Sequence, residues 1–321
     1  MDNYSGLGLS EPSEKVRALV TAIRSAPTMN TVGVEASRQS AGNRQTTPKR
    51  EEVHSITEHT ISSGDTPFDV RCYRASPADL QPVVVYFHAG GWILGDLEHS
   101  DHLCRRMANQ MGAAVVNVDY RLAPESVFPA AFDDCVAATL WAREHALSIG
   151  GDPTCIALAG ESSGGGLAAA VALELSNKAD TAPNFLLLLE PALDIRTTSN
   201  SWQTLGALFA PVREQMDWMW SLYAPDKSMR SDPRVSPSVA KTIPEWHPAT
   251  LIVAAEYDPL KDEAMAYAEK LTAQGIAVTA RIEPGLPHAF CNLGGFLPQG
   301  LQAFDHAIAE MNTRLRQDQD V

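Results

Sequence analysis

The chain is short of cysteine. Cys72, Cys104, Cys135, Cys155 and Cys291 are odd in number, scattered, and form no C-x-x-C pair. That pattern argues against a disulfide framework and suits reduced thiols in a cytosolic enzyme. Positive charge is also short: 25 Lys and Arg against 39 Asp and Glu leave a net charge of −14, with no long basic run. Phosphate backbones are held by clustered Lys and Arg, so no nucleic-acid partner is expected, and the acidic surface is read as serving solubility. Long apolar runs are missing, which excludes a helical membrane span. Segment 1–15 is polar and lacks the apolar centre of a signal peptide, so a cytoplasmic location is expected. Internal repeats and low-complexity segments are not evident either.

What is present is an ordinary globular composition, 45% hydrophobic over 321 residues, enough for one large α/β domain or two small ones. Residues 1–50 read as a separate segment. Val16, Leu19, Val20 and Ile23 have helical spacing, predicting a helix over 12–25, whereas 37–50 is polar and reads as a loop. Two strand-like runs near 56–61 and 68–73 flank Gly64-Asp65, the signature of a hairpin. Beyond them the chain alternates. Apolar runs at 83–87, 113–118, 155–159, 185–189, 251–255 and 277–282 are separated for the most part by helical patterns at 101–111, 133–145, 163–177 and 262–274, and a last helix covers 302–314. Fully apolar strands alternating with helices predict a mostly parallel sheet covered on both faces. The rhythm breaks between Leu189 and Leu251, where there is too much chain for a simple crossover. That interval holds an aromatic helix at 212–223 and reads as an insertion over the strand ends.

The chemistry concentrates at Gly160-Glu161-Ser162-Ser163-Gly164. This G-x-S-x-G stretch follows an apolar strand and opens an Ala-rich helix, the context of a nucleophile elbow, in which a sharp turn projects the serine hydroxyl from the end of a sheet. A hydroxyl is a poor nucleophile at neutral pH and needs a base, a group to orient the base, and donors for the oxyanion. His288, in the loop after the last strand, is the best placed of nine histidines. His54 and His59 fall in the early hairpin, His145 and His306 on helices, and His247 in a Pro-rich loop. Asp258, directly after the strand at 251–255, is the acid. Its rival Asp262 is read as the cap of the helix that begins there. His88-Ala89-Gly90-Gly91-Trp92, right after the strand at 83–87, should supply oxyanion N–H groups from Gly90 and Gly91, joined by the N–H of Ser163. His88 itself is read as a structural residue of that loop.

These blocks, together with Asp119-Tyr120-Arg121-Leu122-Ala123-Pro124-Glu125 and Phe128-Pro129-Ala130-Ala131-Phe132-Asp133-Asp134, resemble the hormone-sensitive lipase family of α/β-hydrolases, bacterial-type carboxylesterases included. The resemblance runs from about residue 52 to the end. It implies the triad Ser162, Asp258 and His288, oxyanion donors Gly90, Gly91 and Ser163, and an α/β-hydrolase fold with a mostly parallel eight-stranded sheet between helices. It also implies a helical cap, built from an N-terminal segment (1–50) and an insertion at about 196–235 of the catalytic domain (51–321). The chain departs from the usual pattern at Ala89 for the first glycine of His-Gly-Gly-Gly, at Glu161 for Asp, at Ser163 for Ala and at Ala289 for Gly. None of these removes a required group.

Other conspicuous residues receive plainer readings. His99-Ser100-Asp101-His102 sits at a helix start without an evident third metal ligand. Cys291 is read as a buried neutral thiol. Asp119, Arg121 and Glu125 are read as a charge network bracing the oxyanion loop. Trp92, Phe209 and Trp218 are candidates to line a substrate pocket, as are Trp202 and Trp220, although at helical spacing some of the cap aromatics must simply pack. The expected activity is hydrolysis of a small-molecule carboxylic ester, with short acyl chains preferred and no metal or organic cofactor. Amide or formamide hydrolysis, or acyl transfer to an alcohol, uses the same triad. A ligand receptor of this fold, as in plant gibberellin receptors, lacks a complete one. A homodimer is plausible on the resemblance.

Overall fold

A computed structural model describes residues 4–42, 48–78, 80–196 and 199–317. Eight strands form one sheet: β1 (Ser55–Ser63), β2 (Thr66–Arg74), β3 (Gln81–Phe87), β4 (Ala114–Val118), β5 (Gly151–Glu161), β6 (Phe185–Leu189), β7 (Ala249–Tyr257) and β8 (Val278–Pro287), in the order β1-β2-β4-β3-β5-β6-β7-β8. The first two join antiparallel, β1 to β2 and β2 to β4, and all later pairs are parallel. The β1–β2 hairpin turns at Gly64-Asp65, as its sequence predicts.

The parallel centre follows from side-chain alternation. All seven residues of β3 are buried. Val83, Val85 and Phe87 enter one apolar cluster and Val84 and Tyr86 the other, so successive side chains supply opposite faces. One face packs helices α5 (Ala130–Glu144), α6 (Ser163–Leu175) and α9 (Lys261–Ala273), and the other packs α4 (Leu97–Met111) and α10 (Pro298–Gln317). Helix α4 starts four residues earlier than its periodicity suggests, because the Asp96 carboxylate caps it by accepting the N–H of His99 at 2.8 Å.

The remaining helices, α1 (Glu14–Ser25), α2 (Met29–Val32), α3 (Val34–Gly42), α7 (Asn200–Leu205) and α8 (Arg213–Tyr223), belong to the N-terminal segment and the insertion. They touch one another. Tyr4, Leu9 and Val16 share an apolar cluster with Leu205, Phe209, Tyr257 and Leu297, and Asn30 donates to Glu214 of α8 at 2.7 Å. Helix α8 buries Met216, Met219, Trp220 and Tyr223, one stripe at helical spacing.

The loop expected over 37–50 is corrected in its first part. Helix α3 runs through residue 42, held by Ser37 Oγ on the Gly33 carbonyl and by contacts of Arg38 described below. Residues 43–47 of that expectation lie outside the described residues. The described residues contain no helix long and apolar enough to cross a membrane.

Candidate active site

Strand β5 delivers Ser162 to the N-terminus of α6 through a turn that only small neighbours permit. A Cβ on Gly160 of β5 would lie 2.2 Å from the Gly164 carbonyl oxygen, and one on Gly164 would lie 2.0 Å from the Phe87 carbonyl oxygen of β3, so both strands touch the start of α6 backbone to backbone. Ser162 itself has φ +55° and ψ −118°. A side chain in that region costs of order 1–3 kcal/mol and persists only where the surroundings enforce it. They do: the Ser162 N–H donates to the Leu189 carbonyl at 2.9 Å, and the Ser162 carbonyl accepts from Ala192 and Gly166 at 2.9 and 3.0 Å.

The ends of β7 and β8 bring the other two groups to it. His288 Nε2 lies 2.9 Å from Ser162 Oγ, and its Nδ1 lies 2.8 Å from Asp258 Oδ2. Asp258 is fully buried, and its second oxygen accepts the Leu260 N–H at 2.8 Å, so both carboxylate oxygens are committed. Ser162 is 8% exposed. Asp262 does not cap its own helix: the Asp258 carboxylate already holds the turn before α9, and Asp262 accepts the Ser201 N–H of α7 at 2.7 Å.

A second buried acid stands beside the imidazole. Glu190, the residue after β6, accepts the N–H groups of Ala289 and Phe290, and its Oε2 is 3.4 Å from His288 Nδ1. Burial alone would lower the His288 pKa. The charge and hydrogen bond of Asp258, with the charges of Glu190 and Glu161, override it and raise the imidazole to about 9. Burial pushes the Glu190 carboxyl well up, against the pull of His288. Glu190, Asp258 and His288 place ligand atoms within 4.8 Å of one another, a spacing that could hold a cation. Their polar atoms are already joined to each other, to Ser162 and to backbone N–H groups, so the arrangement is a hydrogen-bonded chain rather than an open ligand set.

The loop after β3 closes the opposite side. Tyr120 stacks on His88 at 4.2 Å and donates to its carbonyl at 2.7 Å. His88 Nδ1 donates to the Ala89 carbonyl at 2.8 Å, and burial lowers the ring to about 4, so it stays neutral, in keeping with a structural role. Trp92 stacks on Tyr223 of α8 at 4.7 Å. Gly91, at φ +63°, lies so close to Met219 that a Cβ would sit 2.3 Å from its sulfur. The Gly91 N–H donates to Ser163 Oγ at 2.9 Å. The hydroxyl of Ser163, and not its backbone alone, therefore takes part in the site.

Bracing comes from further away than the sequence suggests. Asp119, Arg121 and Glu125 do not pair with one another. Arg121 pairs with Asp134 at 2.6 Å, while Glu125 receives Arg38 of α3. The same Arg38 guanidinium donates to the carbonyls of Ile93 and Ala123 at 2.9 and 3.0 Å. Burial, with the charges of Asp96 and Asp69, pushes the Asp119 carboxyl up to about 6. Asp101 of the His99–His102 stretch is taken by Arg50, Arg71, Arg105 and the Tyr73 hydroxyl. Cys291 is buried and burial pushes its thiol well up, as a neutral packing group requires.

Of the candidate lining residues, Trp92 lies in the loop after β3. Phe209 is stacked on Tyr257 at 5.0 Å, one residue before Asp258, and Trp218 packs half-buried on the main core. Three residues at the site were not picked out from the sequence: Glu190, Arg38 and Met219. Glu190 carried a signal, an acid directly after an all-apolar strand, as Asp258 is after β7. Arg38 and Met219 act through tertiary contacts and carried none.

Comparison with known proteins identifies the family. The α/β-hydrolase fold family matches residues 84–292. Carboxylesterase NlhH of Mycobacterium tuberculosis is 35% identical over 289 residues, covering 88% of this chain and 90% of that protein. Carboxylic ester hydrolase LipN of the same organism is 38% identical over 244 residues, 74% of this chain but 65% of that protein, so the match spans slightly less than two thirds of LipN. Among solved structures, the ester hydrolase EH1AB1 from the metagenome of Lake Arreo, in complex with a bipyridine phosphonate derivative, superposes with a TM-score of 0.89 at 33% identity, covering 94% of this chain and 99% of that one. The chain thus belongs to the hormone-sensitive lipase-like family of α/β-hydrolases, alongside the bacterial carboxylesterases.

Proposed function

We propose that the protein hydrolyses carboxylic esters of small molecules through an acyl-enzyme on Ser162. The observation that carries the reading is the unbroken chain from Ser162 Oγ through both nitrogens of His288 to Asp258 Oδ2, at 2.9 and 2.8 Å. Ser162 Oγ attacks the acyl carbon while His288 Nε2 takes its proton. Asp258 fixes the tautomer and stabilises the imidazolium. Collapse of the tetrahedral adduct expels the alcohol, which leaves with the proton from Nε2. Water then attacks the acyl-enzyme with His288 again as base, releasing the acid and restoring the serine. The N–H groups of Gly90, Gly91 and Ser163 receive the oxyanion. Trp92 and Trp218 line the acyl side under a cap of the N-terminal segment and the insertion, whereas Phe209, the third candidate, packs between Tyr4 and Tyr257 inside that cap. An intact chain of this kind favours an enzyme over a receptor.

Nitrophenyl esters and an alkyl phosphonate ester test the reading together. Wild-type protein should hydrolyse the former and be labelled by the latter at Ser162. Ser162→Ala should lose both, with turnover falling by several orders of magnitude, up to ~10⁶. A folded Ser162→Ala protein with wild-type turnover would refute it.

A further inference from the structure

We propose that Glu190 is a positioning residue for His288: its carboxylate pins the turn that carries the imidazole and favours the charged form of that ring during turnover. This rests on the ester-hydrolase reading given above.

Glu190 is fully buried and at φ +46°, in the left-handed region where a non-glycine residue needs support. Its own N–H is anchored on the Val253 carbonyl of β7 at 2.8 Å. The side chain then reaches across to the His288 turn. One oxygen accepts the Ala289 N–H, and the other accepts Phe290 N–H at 3.1 Å. Ala289 is also left-handed, at φ +64°, so the turn that aims His288 is one the chain would not adopt unaided. Two N–H groups on one carboxylate are what hold it.

The same carboxylate is 3.4 Å from Nδ1, on the side that Asp258 occupies. Among the described residues, the other groups facing this site are Glu161, Tyr86 and Cys291. Glu161, from the end of β5, is held by the Asn292 amide at 2.8 and 2.7 Å and by the Tyr86 hydroxyl of β3 at 3.5 Å. The Cys291 thiol lies in the same turn and is neutral. Burial opposes ionisation of Glu190, and the charge of His288 with the Ala289 N–H favours it. His288 is the one titratable base among these acids, so Glu190 is held as a carboxylate most firmly when the ring carries its proton. That is the state reached as Ser162 attacks. A buried acid without a partner would be costly to keep, and among the described residues the Glu190 carboxylate finds its hydrogen bonds in the His288 turn.

Two substitutions in the full-length protein separate this role from mere packing. Glu190→Gln keeps the volume and one acceptor oxygen but removes the charge. It should lower kcat by roughly 10- to 100-fold, the scale of a catalytic group displaced by a fraction of an ångström to one ångström. KM should stay near wild type, and the ascending limb of kcat/KM against pH should move to lower pH. Glu190→Asp keeps the charge at shorter reach. It should also lower kcat, with the limb left close to wild type. Wild-type kcat in either variant, or a slow Glu190→Gln enzyme whose limb does not move, would overturn the proposal. If Glu190→Gln fails to fold, the kcat and KM of Glu190→Asp decide: a loss confined to KM rejects it. Phosphonate labelling of wild-type Ser162 keeps the two claims apart. A wild type that neither labels nor hydrolyses sinks the ester-hydrolase reading itself, whereas a labelled wild type beside an unimpaired Glu190 variant sinks this one alone.

Discussion

The backbone N–H of Gly91 points at the hydroxyl of Ser163, 2.9 Å away. Gly91 is a proposed oxyanion donor, so in the free protein this donor is already engaged by the residue next to the nucleophile. An incoming oxyanion must compete with a neutral hydroxyl for it.

Ser163→Ala removes the competitor and leaves the Ser163 backbone donor in place. A hydrogen bond of that kind is worth about 1 kcal/mol net, so release of Gly91 should raise kcat by up to about fivefold with little change in KM. Steady-state kinetics on nitrophenyl butyrate would check it. A drop of tenfold or more would mean that the hydroxyl holds the Gly91 loop in its working position rather than competing for it.

Asp258 and Asp262 should separate cleanly. In Asp258→Asn the Leu260 N–H keeps an acceptor oxygen on its side, which turns the amide N–H₂ towards His288 Nδ1 and enforces the wrong tautomer. The loss should approach ~10⁴-fold in kcat. In Asp262→Asn the amide oxygen can still accept the Ser201 N–H, so activity should stay within a few-fold of wild type. An Asp262 variant more damaged than the Asp258 variant, at equal folding, would reverse the assignment of the acid.

The contrast between these two residues marks what local sequence can reveal. The strands were legible because their residues are apolar on both faces; β6 occupies the predicted 185–189 to the residue. The hydrogen-bonded trio of Ser162, His288 and Asp258 was legible because each member follows a strand or opens a helix at a recognisable turn. Asp262 was misread because its partner, Ser201, is 61 residues away and belongs to another helix. The part of α3 from residue 37 on was read as loop because, among the helix's described residues, Ser37 alone is buried, and Arg38 ties the helix down by reaching Ile93, Ala123 and Glu125. Periodicity reports burial on one face, and a helix fastened by one arginine leaves no such trace.

The pH profile should be alkaline. His288 acts as a base only when neutral, and its surrounding acids raise it to about 9 in spite of burial. A raised pKa keeps the proton on as pH increases, so kcat/KM, which reports the free enzyme, should climb through about pH 9 instead of levelling near 6.5. At pH 7 about one molecule in a hundred would then carry the working base. Rates measured from pH 5 to 11 on an ester of low intrinsic alkaline lability would check this. A plateau already complete at pH 7 would show that the buried acids do not charge the ring.

Acyl-chain length tests the cap. Met219 presses its sulfur on Gly91, which places α8 directly above the proposed oxyanion donors, and Trp218 is its half-buried neighbour. A side chain so close to the reacting carbonyl should limit the acyl group, giving higher kcat/KM for acetyl and butyryl than for octanoyl or palmitoyl esters. Met219→Ala and Trp218→Ala should shift the optimum towards longer chains, because each newly buried CH₂ contributes roughly 0.8 kcal/mol, about fourfold in kcat/KM. Phe209→Ala should act differently. Its ring is 2% exposed and sits between Tyr257 and Tyr4, so trimming it should cost about 3–5 kcal/mol of stability, read as a lowered Tm. A wild-type optimum at palmitoyl would refute the short-chain reading. An unchanged chain-length profile in both α8 variants would place the acyl pocket elsewhere under the cap.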